Sequence, residues 1–275
     1  MTKRRANELN GREWLRYSIS VWSDIRKTPE ELALSHPALF PQPLAERLLA
    51  CFTTRADRVV LDPFAGVGSA LLAACAAGRH AVGVELNPNY VALARRRLLE
   101  AGYRESSGEV SSPVEEDLPA TFALVQADAR RLLQYVPASG VDFCVTSPPY
   151  WDILRQRRTA DGKAVRHYAA GERDLGAIAD YEMFLDELTA VFEAVHAALR
   201  PGAYCVVVVM DLRKKSRFFP FHSDLATRMQ ALGFVYDDLI LWDRRQEYNN
   251  LRPLGYPYKF RVNKVHEFLL IFQKT

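Results

Sequence analysis

No apolar run in this sequence approaches the roughly 20 residues needed to cross a bilayer, so no membrane-spanning helix and no membrane partner is expected. The opening stretch MTKRRANELNGREW is polar and lacks the apolar centre of a secretory signal. Cysteine is scarce: Cys51, Cys75, Cys144 and Cys205 are spread over 275 residues with no CxxC pair. That excludes a zinc ribbon or a dithiol redox site and leaves buried free thiols in a reducing compartment, so the cytoplasm is the expected location. Charge of either sign is not in large excess, at 36 Lys+Arg against 33 Asp+Glu and a net +3. A highly charged tail protein is excluded, while nucleic acid remains open. Residues 1–150 hold 17 basic and 17 acidic side chains and residues 151–275 hold 19 and 16, so the excess lies C-terminal. With 49% apolar and 25% charged residues, a disordered or fibrous chain is excluded. The length suits one large α/β domain or two small ones, with a core that needs neither disulfide nor metal.

What is present is an alternation. Residues 44–52 read as a short amphipathic helix and 58–61 as an apolar strand ending at the loop Asp62–Gly68. The Ala/Leu-rich stretch 69–77 is helical, with Gly78 as its stop, and 81–85 is a strand. Asn87-Pro88 opens a helix over 89–100. This β-α-β-α order predicts a parallel sheet with right-handed crossovers. The Ser-rich acidic stretch 101–118 reads as an exposed insertion, and strands return at 122–126 and 141–145. The second runs into Thr146-Ser147-Pro148-Pro149-Tyr150, where two prolines close it. A long basic loop spans 151–176, a helix 180–199 is stopped by Pro201-Gly202, and 203–210 is the most apolar and hence central strand. A helix at 222–231 and strands at 234–242 and 266–273 follow, the last two separated by a basic, aromatic stretch, 243–265.

The segment VVLDPFAGVGS sets Gly66-x-Gly68 after a strand and before a helix, where a doubly wound sheet binds a nucleotide-like ligand. The dinucleotide fingerprint wants a third glycine, and that position is Leu71, so a pyrophosphate cradle is disfavoured. Glu85 ends the next strand, where a carboxylate can accept both hydroxyls of a ribose. Asp128, soon after the third strand, can meet an exocyclic amine. A glycine loop, a ribose acid and a later acid suit an adenosine ligand without phosphates.

Taken together, His36-Pro37-Ala38-Leu39-Phe40-Pro41, Asp62–Ser69, Glu85, Asp128-Ala129, Ser147-Pro148-Pro149-Tyr150, Leu199-Arg200-Pro201-Gly202 and His266-Glu267-Phe268-Leu269-Leu270 resemble the amino-methyltransferases of DNA. The resemblance runs from about residue 20 to the C-terminus. It implies a doubly wound, mostly parallel seven-stranded sheet of the Rossmann-like methyltransferase type with target-recognition loops inserted. It implies S-adenosyl-L-methionine as cofactor, with no metal. Asp62 would lie near its methionine end and Phe40 and Pro41 would close that side. Pro63, Phe64, Ala65, Gly66, Gly68 and Ser69 would line the pocket, with Leu86 and Asn87 beside Glu85 at the ribose. Asp128 and Ala129 would hold the adenine, and Ser147 would border both cofactor and catalytic site. Ser147, Pro148, Pro149 and Tyr150 would be catalytic. Serine at the first of these positions resembles the N4-cytosine enzymes, whereas Asp or Asn is usual for N6-adenine. An N6-adenine enzyme, a structured-RNA methyltransferase and a DNA-binding module without turnover stay open as alternatives. Two departures stand out: Ala203 replaces a usual second glycine after Pro201-Gly202, and the cofactor segment precedes the catalytic one, an order that circular permutation of one fold allows.

The chemistry asks for these residue types. The exocyclic amine of cytosine is a poor nucleophile because its lone pair is delocalised into the ring. Acceptors for both amine hydrogens favour a pyramidal nitrogen, and the Ser147 hydroxyl and the stiff Pro148 carbonyl are suitable. Tyr150 offers a stacking surface, and the base must leave the duplex to be reached. Cys144 is expected in the strand core and not as an attacking thiolate. Phosphate contacts are expected from Arg155, Arg157, Arg158, Lys163 and Arg166, from Arg213, Lys214, Lys215 and Arg217, and from Arg244, Arg245, Lys259, Arg261 and Lys264. Arg252, Asn249 and Asn250 are candidates for reading base edges. The motifs fill roughly 36–273, so one catalytic domain over 1–275 is expected, with 151–176 and 243–265 as its DNA-contacting insertions. Double-stranded DNA is the expected partner, at the nucleoid, and the resemblance admits a cognate restriction endonuclease acting separately.

Overall fold

The valine-rich runs of the sequence become strands covered on both faces. A computed structural model describes residues 5–34, 40–106, 119–152, 174–248 and 251–275. In chain order the elements are α1 (Gly11–Tyr17), β1 (Val21–Trp22), α2 (Pro29–Ala33), α3 (Gln42–Phe52), β2 (Val59–Asp62), α4 (Ser69–Ala76), β3 (His80–Glu85), α5 (Pro88–Glu100), β4 (Arg104–Glu105), β5 (Thr121–Gln126) and β6 (Val141–Thr146). Then come α6 (Tyr181–Ala198), β7 (Leu199–Val209), a hairpin of β8 (Leu212–Lys214) and β9 (Arg217–Phe219), α7 (Phe221–Ala231), β10 (Phe234–Asp243) and β11 (His266–Lys274). Short 3-10 turns lie at Ala129–Gln134, Leu175–Ala177 and Arg245–Glu247.

The main sheet has the order β1-β10-β11-β7-β6-β2-β3-β5-β4. Among the described strands of this sheet, only β11 runs antiparallel to its neighbours, β10 and β7. Seven longer strands form the expected sheet, and the two-residue strands β1 and β4 extend its edges to nine. Alternation along the strands feeds two cores. On β7, Cys205, Val207 and Val209 face one layer, which holds α6 and α7. Val206 and Val208 face the other, which holds α3, α4 and α5. That is why these strands read as continuous apolar runs. Helix α4 is buried nearly all round, so it shows no polar face. The chain builds β2, β3 and β5 outward on one side and then returns to lay β6 on the other side of β2. The reversal makes a crevice at the carboxyl ends of β2 and β6, where doubly wound sheets bind ligands.

Two boundaries differ from the sequence reading. Helix α6 ends at Ala198, and Leu199 already pairs with Val141, so Pro201-Gly202 lies within β7. The register shifts between Val141 and Phe143, which gives the donor-less proline a place in the ladder. Elements α1, α2, β1 and the β8–β9 hairpin were not expected. Helix α1 buries no residue, so no apolar period marked it. Residues 107–118, most of the expected acidic insertion, and 153–173, most of the expected basic loop, lie outside the described residues. Among the described residues no helix is long and apolar enough to cross a membrane.

Candidate active site

Four neighbouring strands deliver the expected residues to one edge. Asp62 ends β2, Glu85 ends β3, Asp128 follows β5 by two residues and Ser147 follows β6 directly. Loop 63–68 folds back over this edge: the Ala65 N–H donates to the Val84 carbonyl at 2.9 Å and the Gly66 N–H to Glu85 Oε2 at 2.8 Å. Both glycines hold left-handed backbone, Gly66 at φ 51° and Gly68 at φ 84°. Gly68 caps α4, and a Cβ there would sit 3.1 Å from that of Ala94. The Glu85 carboxylate is tied on its other side by the Asn87 N–H at 2.7 Å, while Asn87 itself caps α5. Burial pushes the Glu85 pKa up, against the pull of these N–H donors, and the nearby Asp174 carboxylate raises it further. Each oxygen keeps a lone pair for a further donor. Leu86, between the two, is half-buried.

Asp62 is fully buried. Its Oδ1 accepts the Phe64 N–H at 3.0 Å and the Thr146 hydroxyl at 2.6 Å, while its Oδ2 has no partner among the described residues. Burial pushes its pKa up to about 7, against those two donors. A buried carboxylate oxygen without a donor is a site for a cation, which fits the ammonium of an amino-acid ligand. The Thr146 bond also locks the glycine-loop strand to the strand that presents Ser147. Phe40 and Pro41 are buried at the start of α3, with Phe40 in the same apolar cluster as Ala65. Pro63 is buried and Phe64 half-buried. His36–Leu39 lie outside the described residues. Ser69 does not point into open space; its hydroxyl donates to Glu31 at 2.7 Å. Asp128 carries an ion pair the sequence reading did not foresee. Arg130 closes on both of its oxygens at 2.6–3.1 Å and reaches Glu187 at 2.5 Å. Ala129 is buried beside it.

In the segment expected to be catalytic, Ser147 is half-buried, and Pro148, Pro149 and Tyr150 are buried. The Tyr150 hydroxyl donates to Glu267 Oε2 at 2.9 Å and lies 3.0 Å from the Ser147 hydroxyl. Its ring packs edge-on to Phe221 at 6.4 Å. Trp151 follows in left-handed backbone, φ 50°, unusual for an aromatic residue. It is fixed there by an indole bond to the Ile178 carbonyl at 2.9 Å, by edge contacts with Tyr181 and Phe219, and by Lys214 Nζ 4.0 Å above its ring. Cys144 is fully buried, and burial together with the neighbouring Cys205 sulfur raises its pKa well above the usual thiol range, so it is not a thiolate nucleophile. Among the described residues no group of three or more His, Cys, Asp or Glu is placed to hold a metal ion.

The comparison with known proteins decides the family. The DNA methylase model, which covers N6- and N4-type enzymes, matches residues 2–96 and 141–275. The chain belongs to that family. Methylases of this family depend on S-adenosyl-L-methionine, and the buried Asp62 oxygen, the Glu85 lone pairs and the glycine loop fit that ligand. Type II methyltransferase M.BglI of Bacillus subtilis is 31% identical over 130 residues, which are 46% of this chain and 35% of that protein. An uncharacterized RNA methyltransferase, SYNW1228 of Parasynechococcus marenigrum, is 30% identical over 130 residues, 43% of this chain and 27% of that one. The chain thus spans about a third of the length of these curated relatives. The solved TTHA0409 of Thermus thermophilus, complexed with S-adenosyl-L-methionine, is 32% identical over 54% of this chain and 53% of its own, with TM-score 0.38.

The cations expected to contact DNA divide into two groups. The Arg244 guanidinium is engaged within the chain, by Glu267 and by Glu247 at 2.6 Å, and stacks 4.7 Å above Trp242. Burial would depress its pKa, but the Glu267 and Glu247 carboxylates outweigh that and raise it. Lys214 is likewise engaged, with Asp152 at 2.6 Å and Trp151. Arg245 pairs with Asp243 yet stays largely exposed, and Lys215 and Lys259 are exposed. Arg261 donates to the Lys215 carbonyl at 3.3 Å, and Lys264 lies 4.6 Å above Phe218, so residues 251–265 pack on the β8–β9 hairpin. Tyr256, Tyr258 and Phe260 stand out there at 79%, 91% and 98% exposure among these basic side chains. Such interleaving suits a nucleic-acid face. Arg155, Arg157, Arg158, Lys163, Arg166, Asn249 and Asn250 lie outside the described residues.

Several site residues were missed from sequence. Glu31 had a signal, the capping box Thr28-Pro29-Glu30-Glu31, and it fills that role, yet its Oε1 also accepts from Gln42 N at 2.8 Å and from Ser69. Arg97 reaches across 30 residues to the Val67 carbonyl at 2.5 Å. Thr146, Asp174 and Glu267 act through contacts that no local spacing announces.

Proposed function

We propose that this methylase transfers a methyl group from S-adenosyl-L-methionine to the exocyclic N4 of a cytosine flipped out of duplex DNA. The observation that carries the reading is Ser147 at the carboxyl end of β6, tied through Thr146 to the buried Asp62 carboxylate on the adjacent strand, whose Oδ2 has no partner among the described residues. Cofactor and acceptor base would thereby meet across one strand pair. When bound, the cofactor supplies a sulfonium methyl group, a good electrophile, so alignment is most of what the protein must provide. Asp62 would pair with the cofactor ammonium, Glu85 would hold the ribose hydroxyls, and Asp128 would receive the adenine amine in exchange for one of its Arg130 bonds. The Ser147 hydroxyl and the Pro148 carbonyl would accept the two amine hydrogens. Stacking a flipped base on Tyr150, worth about 1–3 kcal/mol, requires the groups that cover its ring to move aside. The exposed basic and aromatic face of β8–β9 and 251–265 would hold the duplex, with 153–173 as the second insertion. Serine in place of Asp or Asn supports cytosine over adenine.

Nucleoside mass spectrometry of duplex DNA incubated with the protein and cofactor tests this, with a structured RNA of matching sequence in parallel. N4-methylcytosine in the duplex is the expected product. N6-methyladenine without N4-methylcytosine would overturn the base assignment, and methylation confined to RNA would overturn the substrate.

A further inference from the structure

The hydrogen bonds behind the catalytic segment have a direction. A carboxylate can only accept, so the Tyr150 hydroxyl must give its single proton to Glu267 Oε2, 2.9 Å away. Between Tyr150 and Ser147, 3.0 Å apart, the proton must then come from serine. The Ser147 oxygen is left with lone pairs only toward its remaining neighbours. That is the state in which it can accept a hydrogen from a base amine. The opposite polarity would aim an O–H at the amine and block it.

Glu267 is in turn kept as an acceptor. Its Oε1 receives Arg244, whose other nitrogen reaches Glu247 at 2.6 Å, and Lys27 faces the same cluster. Two acids and two bases balance, which makes burial of the group feasible. Glu267 is the second residue of β11, and the next, Phe268, pairs with Val209 of β7. The antiparallel strand thus brings its first residues to the edge where the parallel strands end. Resting on the methyl-transfer reading above, we infer that Glu267, held by Arg244, is a positioning residue that sets Ser147 as a hydrogen-bond acceptor through Tyr150.

The polarity makes an unusual test. In Glu267→Gln the amide oxygen must face Arg244, which only donates, so the amide N–H turns to the Tyr150 oxygen. The tyrosine proton then points to Ser147 and the serine proton to the amine site. Turnover, kcat, should fall about 10²-fold, the scale of losing one preorganised hydrogen-bonding group at a reacting centre. Cofactor affinity and KM for DNA should stay near wild type, while Tm falls because the buried Arg244 loses its carboxylate partner. Tyr150→Phe keeps a ring for the base but frees the Ser147 hydroxyl to rotate, so its loss should be smaller. The double variant Tyr150→Phe/Glu267→Gln should then match Tyr150→Phe and turn over faster than Glu267→Gln alone. Partial rescue by removing a hydroxyl is not expected of a merely structural glutamate, whose loss would add to that of Tyr150. Wild-type-like kcat in Glu267→Gln, or additive losses in the double variant, would overturn the relay while leaving the methyltransferase reading intact. An inactive wild type would overturn both.

Discussion

Replacing Asp62 with asparagine should remove the pH dependence of cofactor binding. The Asp62 carboxyl is fully buried and its pKa is pushed up to about 7. Its Oδ2 has no donor among the described residues, so a bound ammonium would be its natural counter-charge. If binding requires the ionised form, affinity follows the ionised fraction. About half the molecules carry the charge at pH 7 and about 3% at pH 5.5, so affinity should weaken about 15-fold over that interval. Titration calorimetry with S-adenosyl-L-methionine at pH 5.5, 6.25 and 7 reads this directly. Asp62→Asn keeps an oxygen for the Phe64 and Thr146 donors but loses the charge, so it should bind weakly with a flat profile. Stability moves the other way in the absence of cofactor. The folded pKa lies above the unfolded one, so this group's contribution is full below about pH 4 and is lost as pH rises through 7. Unliganded Asp62→Asn should therefore melt above wild type at pH 8 and show no such gain at pH 5. Wild-type affinity constant within twofold from pH 5.5 to 7, or an asparagine variant that binds like wild type, would refute the assignment.

Two further variants probe how the loop is held. Glu31→Ala removes the acceptor of the Thr28 and Gln42 N–H groups and of the Ser69 hydroxyl, and should cost about 3 kcal/mol of stability in urea unfolding while weakening cofactor binding; a loss confined to stability would separate this carboxylate from the loop. Gly83→Ala would place a Cβ 2.7 Å from Leu71 Cδ1 and 3.0 Å from Ala65 Cβ, so overpacking of about 1–3 kcal/mol and reduced cofactor affinity are expected from the same two measurements.

The alternation of β2, α4, β3 and α5 was legible because each element carried its own punctuation. Gly68 caps α4, Asn87-Pro88 opens α5, and the buried strands are unbroken apolar runs. The candidate residues at strand ends were legible for the same reason: Asp62 and Glu85 each follow an apolar run directly, and Ser147 follows one after Thr146. What was hidden is long-range. Nothing near Glu267 in the sequence announces Tyr150, 117 residues earlier, or near Arg97 the Val67 carbonyl, 30 residues earlier. Charge counting also hides local pairing. Arg244 and Lys214 look like surface cations in a basic stretch, but each lies over an aromatic ring and pairs with a carboxylate of this chain.

The pairing of β2 with β6 also explains why the order of motifs along the chain is free. Asp62 and Ser147 meet through adjacent strands and the Thr146 bond, not through a connecting loop, since β3, β4 and β5 intervene in sequence. A chain that enters the sheet at β6 and reaches β2 later would build the same crevice, so cofactor-first and catalysis-first orders are equivalent in space. The same division separates two kinds of constraint. In the proposed reading the cofactor side would be made by β2, β3 and β5 with loop 63–68, which Glu31 and Arg97 brace internally. The acceptor side would be made by β6, β7 and β11 with the β8–β9 hairpin and 251–265, where Tyr256, Tyr258 and Phe260 are exposed. On the proposed function, changes to those exposed residues should alter nucleic-acid affinity while leaving cofactor affinity near wild type, whereas a change at Thr146 should reach both at once.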